Sequence, residues 1–196
     1  MTNRYLIPAL IVAVVAPTIA HAQFSDSFNF LKAVRDRDGT KVTDLLNKPG
    51  TVIVNTRDGA TSETALHIVT SGRDIVWLGF LLQRGANPNL RDTQGRTPLL
   101  IATELRWAEG VQTLLRRSAS VDIANGNGET ALSKAVQNND VAIVRLLLAA
   151  GANPARADNA GFSPRDLAKR DARLAPLLKE MDAAKSVSNK PVQGPH

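Results

Sequence analysis

Acid–base and nucleophilic catalysis usually depend on a group tuned near neutral pH, most often histidine. This chain has three, His21, His67 and His196, and no cysteine. Zero cysteine removes thiol nucleophiles, redox dithiols, disulfide frameworks, Cys-ligated zinc and Fe–S clusters together. His21 falls beside an apolar leader and His196 stands at the end of the sequence, so His67, closing the run Thr64-Ala-Leu-His67, is the imidazole within patterned sequence. A carboxylate pair could act without histidine. The acids, however, fall at turn starts (Asp58, Asp92, Asp158) or on outward helix positions, where capping and solvation account for them. Gly126-Asn-Gly128 has neither a G-x-G-x-x-G frame nor a Walker lysine, and reads as a turn. No spacing fits a metal. The expectation is no catalytic residue, no cofactor and no metal.

The elements that would position these residues repeat with a period of 33. Thr64-Ala-Leu66, Thr97-Pro-Leu99, Thr130-Ala-Leu132 and Ser163-Pro164 stand in one column. Leu81-Leu82, Leu114-Leu115 and Leu147-Leu148 form a second, and Gly85-Ala86, Ser118-Ala119 and Gly151-Ala152 a third. Each unit opens on a turn such as Asp92-Thr-Gln-Gly95 or Asp158-Asn-Ala-Gly161, where glycine reaches positive φ cheaply. Thr or Ser then caps a helix, with Pro98 and Pro164 at the first helical position, where no N–H is needed. A second helix follows, and Val141, Val144, Leu147 and Leu148 mark its buried face. Gly151 ends it.

These motifs resemble the ankyrin repeat, whose signature runs T-P-L-H-x-A and later L-L-x-x-G-A. Thr64-Ala-Leu-His67, Thr97-Pro-Leu-Leu-Ile-Ala102 and Thr130-Ala-Leu-Ser-Lys-Ala135 are degenerate copies of the first half, and Leu147-Leu-Ala-Ala-Gly-Ala-Asn153 matches the second closely. The resemblance spans about residues 26 to 183. It implies an all-α repeat solenoid of paired antiparallel helices with β-hairpin or turn fingers, and a structural imidazole at His67 that joins neighbouring turns.

The expected organisation is a leader over 1–22, an N-terminal capping repeat over 23–55, and repeats over 56–89, 90–122 and 123–155. A C-terminal capping repeat over 156–185 and a disordered tail over 186–196 complete it. The leader has Arg4, then an uncharged run from Tyr5 to Ile19, then Ala20-His-Ala22 before Gln23. This is the grammar of an export signal cleaved after Ala22, and the run is too short and too proline-broken to span a bilayer. Without that segment no membrane anchor is left. A periplasmic location follows, with secretion as the alternative. In the first capping repeat Phe30, Ala33, Val42, Leu45 and Leu46 fall in core columns. Leu45 and Leu81 are three residues further apart than the period allows. Two of these extra residues are assigned near Lys48-Pro-Gly50 and one to the Asp58–Glu63 turn. Pro176 is expected to break the second helix of the last unit, whose charges suit a cap meeting water.

The hydrophobic share of 43% suits a folded chain, and the net charge of +6 raises nucleic acid as a partner. Against that, no run of five like charges occurs, Arg116-Arg117 being as long as any basic run, and no aromatic platform interleaves with basic residues. The expected partner is therefore a protein, with no nucleic acid, and the chain a monomer. Stacked repeats present finger tips and first-helix ends as one surface. Transferring those columns gives Arg57, Thr93, Gln94, Arg96, Asn127, Glu129 and Phe162 from the fingers, with Asp58, Ala60, Gly126 and Asn159 beside them. The first helices add Glu104, Leu105, Gln137 and Asn138, with Arg35, Asp36 and Ser71. Trp107 can either pack under its neighbouring turn or anchor a partner, and Trp77 is expected in the core. Two roles stay open: a periplasmic module that stabilises, inhibits or delivers one partner enzyme, and a secreted effector docking on a host protein. Envelope-surface binding through the basic face is a weaker third.

Overall fold

The computed structural model describes residues 18–49 and 52–188. The expected leader lies outside the described residues through residue 17, and the expected tail from residue 189 on. Helices stack in pairs along the chain. They are α1 Thr18–Arg35 with α2 Gly39–Leu46, α3 Ala65–Ser71 with α4 Ile75–Gln83, and α5 Pro98–Glu104 with α6 Ala108–Arg116. Then come α7 Ala131–Gln137 with α8 Val141–Ala149, and α9 Pro164–Arg170 with α10 Ala175–Ser188. The first helices α1, α3, α5, α7 and α9 touch in one row, and α4, α6, α8 and α10 in a second. No strand occurs among the described residues, so the fingers between pairs are turns and not β-hairpins.

The columns read from the sequence are the core. Leu81, Leu114 and Leu147 are fully buried, as are Phe30, Val42, Leu99, Leu132 and Ile143. Ala65, Ala102, Ala131 and Ala135 let the first helices approach closely. Thr97 and Thr130 cap α5 and α7 by accepting the amides of Leu100 and Ser133, and Ser163 and Asp166 form a reciprocal capping box on α9. After the second helices, Gly85 and Gly151 sit at φ 83° and 87°. Ser118 holds the same left-handed place at φ 62°, at a steric cost glycine avoids. Ser118→Gly is expected to stabilise the fold by about 0.5–1 kcal/mol. Chemical denaturation should show a higher midpoint with an unchanged slope.

The turns between paired helices hold a second left-handed column, Arg37, Arg73, Arg106 and Asn139, with φ between 50° and 57°. Three of its members reach into the next unit. Arg37 pairs with Asp74 at 3.0 Å, Arg73 donates to the Leu105 carbonyl, and Arg106 donates to the Asn138 carbonyl at 2.6 Å. Both carbonyl acceptors are helix C-caps, whose partial negative charge suits a guanidinium. These arginines staple successive pairs along the edge opposite the fingers.

Trp107 is buried at 9% exposure, which removes it from the expected binding surface. The equivalent residues Asp38, Asp74 and Asp140 each cap their second helix by accepting a backbone amide. Trp107 makes no such bond, and its ring lies over Gly110, where an added Cβ would come within 2.1 Å of Cε3. The indole thus replaces a cap with buried apolar area, and Gly110 leaves the room for it. Trp77 is half-buried against the core and meets Phe80 edge to face at 6.0 Å.

Both ends differ in part from expectation. The first finger is one residue longer than the next two: Asp58 N bonds to Glu63 O, where Asp92 bonds to Arg96 and Asn125 to Glu129. A 3-10 turn at Ile53–Asn55 follows the Lys48-Pro-Gly50 stretch and buries Ile53. Pro176 does not break the last helix. It lies in the first turn of α10, where proline is tolerated, and Leu177 and Met181 beyond it are fully buried. Residues 186–188, expected in the tail, are helical.

Candidate functional site

The fingers are joined tip to tip. Thr93 N donates to Thr61 O at 2.9 Å, Gly126 N to Gln94 O at 2.9 Å, and Asn159 N to Asn127 O at 3.0 Å. Gly95 and Gly128 permit this approach. Both have positive φ (77° and 79°), and a Cβ on either would stand 2.7 Å from the backbone nitrogen of the next finger. An aspartate or asparagine folds each tip: Asp92 Oδ1 accepts the amides of Gln94 and Arg96, and Asn125 Oδ1 those of Asn127 and Glu129.

Each of the last three fingers also locks onto its own first helix, eight residues on. Arg96 grips Asp92 through Nε and Nη2 at 2.9 and 2.8 Å, leaving Nη1 3.7 Å from Glu104. Glu129 accepts from Lys134 at 2.7 Å, Asn125 at 2.9 Å and Gln137 at 3.1 Å. Burial pushes the Glu129 carboxyl up, but these three donors outweigh it and hold its pKa at about 2. The Arg170 guanidinium covers the Phe162 ring at 4.5 Å. At the other end Arg35 bridges to Asp58 at 2.8 Å, and with the Ala60 and Thr61 amides holds that carboxyl at about 2. Glu104 is the exception. Burial raises its pKa, while Arg96 and Lys134 oppose the rise without a close bond.

The family model for ankyrin repeats in three copies matches residues 30–125 and 78–158, more than half of the chain. The chain belongs to the ankyrin repeat family. A human relative, transient receptor potential cation channel subfamily A member 1, is 36% identical over 102 residues, 52% of this chain and 9% of that protein. Zygote-specific protein 3 of Chlamydomonas reinhardtii is 39% identical over 100 residues, 51% of this chain and 27% of the relative. An ankyrin repeat protein of Rickettsia bellii is 31% identical over 134 residues, 64% of this chain and 37% of its own length. The chain thus spans well under half of each. Ankyrin repeats are in general protein-interaction modules.

His67 is fully buried in the ankyrin stack. Its Nδ1 faces the Thr64 amide at 3.1 Å, so it accepts, and its Nε2 faces the Arg96 carbonyl at 3.0 Å, so it donates. The surroundings thereby select the neutral Nε2–H tautomer. Burial lowers its pKa, against the opposing pull of the Arg96 carbonyl. The ring ties α3 to the next finger, as the resemblance implies, and both nitrogens are occupied by backbone.

The expected site residues divide by what they touch. Thr93, Gln94 and Asn127 are exposed at adjoining tips with side chains turned outward. Arg57 is exposed, yet its guanidinium donates to the Arg91 carbonyl at 2.7 Å. Arg96, Glu104, Glu129 and Gln137 line one strip, in which Arg96 is held by Asp92 and Glu129 by Lys134 and Gln137. Asn138 Nδ2 donates to Thr103 O at 3.3 Å, a tie between neighbouring first helices. Leu105 packs partly on the core, so it is not the free apolar anchor its column suggested. Phe162 is 37% exposed beneath Arg170. Lys134 and Arg170 belong to the strip and were missed. Their signal was available in the sequence, since both stand within a turn or two of the finger residue they meet.

Proposed function

We propose that this ankyrin stack is a non-catalytic binding module, exported to the periplasm, that stabilises, inhibits or delivers one partner protein. The observation that carries the reading is the row of hydrogen-bonded finger tips. It fixes Thr93, Gln94 and Asn127 side by side with their side chains uncommitted, and a surface ordered before binding loses little entropy on docking. The strip from Arg96 to Arg170 continues it along the concave face. That His67 spends both nitrogens on backbone supports a non-catalytic reading. Export rests on Arg4, the apolar run Tyr5–Ile19 and Ala20-His-Ala22. Among the described residues no helix is long and apolar enough to cross a membrane.

Fractionation and crosslinked capture from the periplasm test both halves. The control is a variant with Thr93→Ala, Gln94→Ala and Asn127→Ala, side chains that hold no finger together, so stability should stay within about 0.5 kcal/mol per site. The expected result is one dominant partner, captured by the native chain and reduced at least about tenfold by the variant. Equal capture by both would remove the finger tips from the binding surface. Recovery of the chain in the cytoplasmic fraction with Met1 intact would end the export reading. Recovery from the culture medium would favour the effector role.

A further inference from the structure

The excess positive charge of this chain is unevenly placed. Many of its carboxylates are tied to a lysine or arginine, as in the pairs Arg35–Asp58, Arg37–Asp74, Arg96–Asp92 and Lys134–Glu129. Arg116, Arg117 and Arg156, by contrast, have no side-chain partner among the described residues. All three lie on the edge where second helices end and run toward the fingers.

An open groove of about 610 Å³ occupies that edge, on the side of the fingers away from the first helices. It is lined by Arg91, Ser120, Asp122, Asn125, Arg156 and Asn159, among others. Arg91 and Arg156 come from loops two repeats apart, so only stacking brings them to one cavity. Arg91 Nε donates to Gly95 O at 3.1 Å, leaving its outer nitrogens. Asn125 is spent on its own finger, donating to Glu129 at 2.9 Å, and Asn159 on the preceding one, donating to Gly126 O at 3.1 Å. The Ser120 amide bonds to Asn89 at 2.7 Å and leaves its hydroxyl uncommitted. Asp122 takes the Asn153 amide on its two oxygens, at 3.1 and 3.3 Å, and keeps lone pairs facing the groove.

Two guanidiniums and a hydroxyl supply donors for an oxyanion, since the planar fork of arginine matches phosphate oxygens. One carboxylate supplies an acceptor that repels a bare anion but suits a hydroxyl beside it. The volume lies within the range of small-molecule sites and exceeds what a lone phosphate fills. The geometry points to a binding groove for the phosphate ester of a polyol, a sugar phosphate or a headgroup of the same chemistry. Arg91 and Arg156 hold the phosphate, and Asp122 and Ser120 take hydroxyls. The groove shares Asn125 and Asn159 with the fingers, but none of Thr93, Gln94 and Asn127 lines it.

The test is an amide NMR titration of the full chain with glucose 1-phosphate, inorganic phosphate and glucose. Glucose 1-phosphate is expected to shift the amides from Ser120 to Asn125 and those of Arg156 and Asn159, saturably. Inorganic phosphate should bind about tenfold more weakly, because Asp122 then opposes it without a hydroxyl to accept. Glucose should shift nothing. Arg156→Gln, whose side chain supports no part of the fold, should weaken glucose 1-phosphate about tenfold. Arg145→Gln, which breaks only the exposed Arg145–Glu180 pair, should leave binding unchanged. Phosphatidylglycerol vesicles that broaden the same amides, with phosphatidylcholine vesicles inert, would place the source in a lipid headgroup. Shifts scattered over Arg116, Arg117 and Lys169, or equal binding by Arg156→Gln, would overturn the site.

Discussion

Leu114→Ala should lower the stability of the stack by about 3–5 kcal/mol, a large part of the 5–15 kcal/mol that typically holds a domain together. Leu114 is fully buried in α6, which packs on α5 of its own pair and on α4 and α8 of its neighbours. A cavity there weakens both interfaces of the central repeat at once. In a repeat array stability is close to a sum of nearest-neighbour terms, so a central lesion leaves two short remnants. Neither retains the roughly three repeats that a stable stack needs. Leu114→Asp, which adds an unpaired buried charge, should abolish the cooperative transition. Leu45→Ala provides the contrast. Leu45 is also buried, but in α2 of the first pair, against α1 and the Ile53–Asn55 turn, and its loss should cost less. Thermal unfolding followed by far-ultraviolet circular dichroism decides the matter. Midpoints within about 2 °C of the native chain for Leu114→Ala, where a few degrees per kcal/mol are expected, would contradict the assigned columns.

The same columns show what a single sequence can carry. Leu81, Leu114 and Leu147 are legible because burial repeats with the period, and a column of leucines has one plain cause. The left-handed place at Ser118 is legible because two glycines stand in its column. Arg73 and Arg106 are not, since each bonds a carbonyl one repeat away, and a carbonyl leaves no trace in residue type. Trp107 was ambiguous for a related reason. Its column carries a capping aspartate in the sibling units, and only Gly110, three residues on, hints that the indole folds inward. For the proposed binding face, adding the period places Arg96, Glu104, Glu129 and Gln137 on one strip. What periodicity could not convey is that Asp92 holds Arg96, while Lys134, Asn125 and Gln137 hold Glu129, and Glu104 keeps no close bond. That leaves Thr93, Gln94 and Asn127 at the tips as the exposed side chains without a bond.

His67 should make the stack sensitive to mild acid. Its pKa in the folded chain is lowered from 6.5, chiefly by burial, so below that value the unfolded chain binds a proton that the folded one resists. The unfolded state then holds more protons, and stability falls as pH drops, by at most about 1.4 kcal/mol per pH unit until the folded pKa is reached. Protonation also turns Nδ1 into a donor, which loses the bond from the Thr64 amide and leaves the Thr64 hydroxyl, 2.9 Å away, to accept. Glu104 acts in the opposite sense. Its raised pKa means that the folded chain holds its proton longer, so stability falls as pH climbs from about 4.5. Asp58 and Glu129, held at about 2, withdraw their contribution only below about pH 4.5. The clean measurement is therefore a difference between the native chain and His67→Gln across pH 5 to 7. Glutamine can donate to the Arg96 carbonyl without titrating, so its curve should lack the histidine slope and cross that of the native chain in acid. His67→Ala should cost about 2–4 kcal/mol at pH 7, from the cavity and the unpaired Thr64 and Arg96 groups. It should leave partner capture intact in proportion to the folded fraction. Parallel pH curves for the native chain and His67→Gln would mean that the imidazole is not held in its neutral form. Loss of capture with the fold retained would give His67 a role beyond the turn it braces.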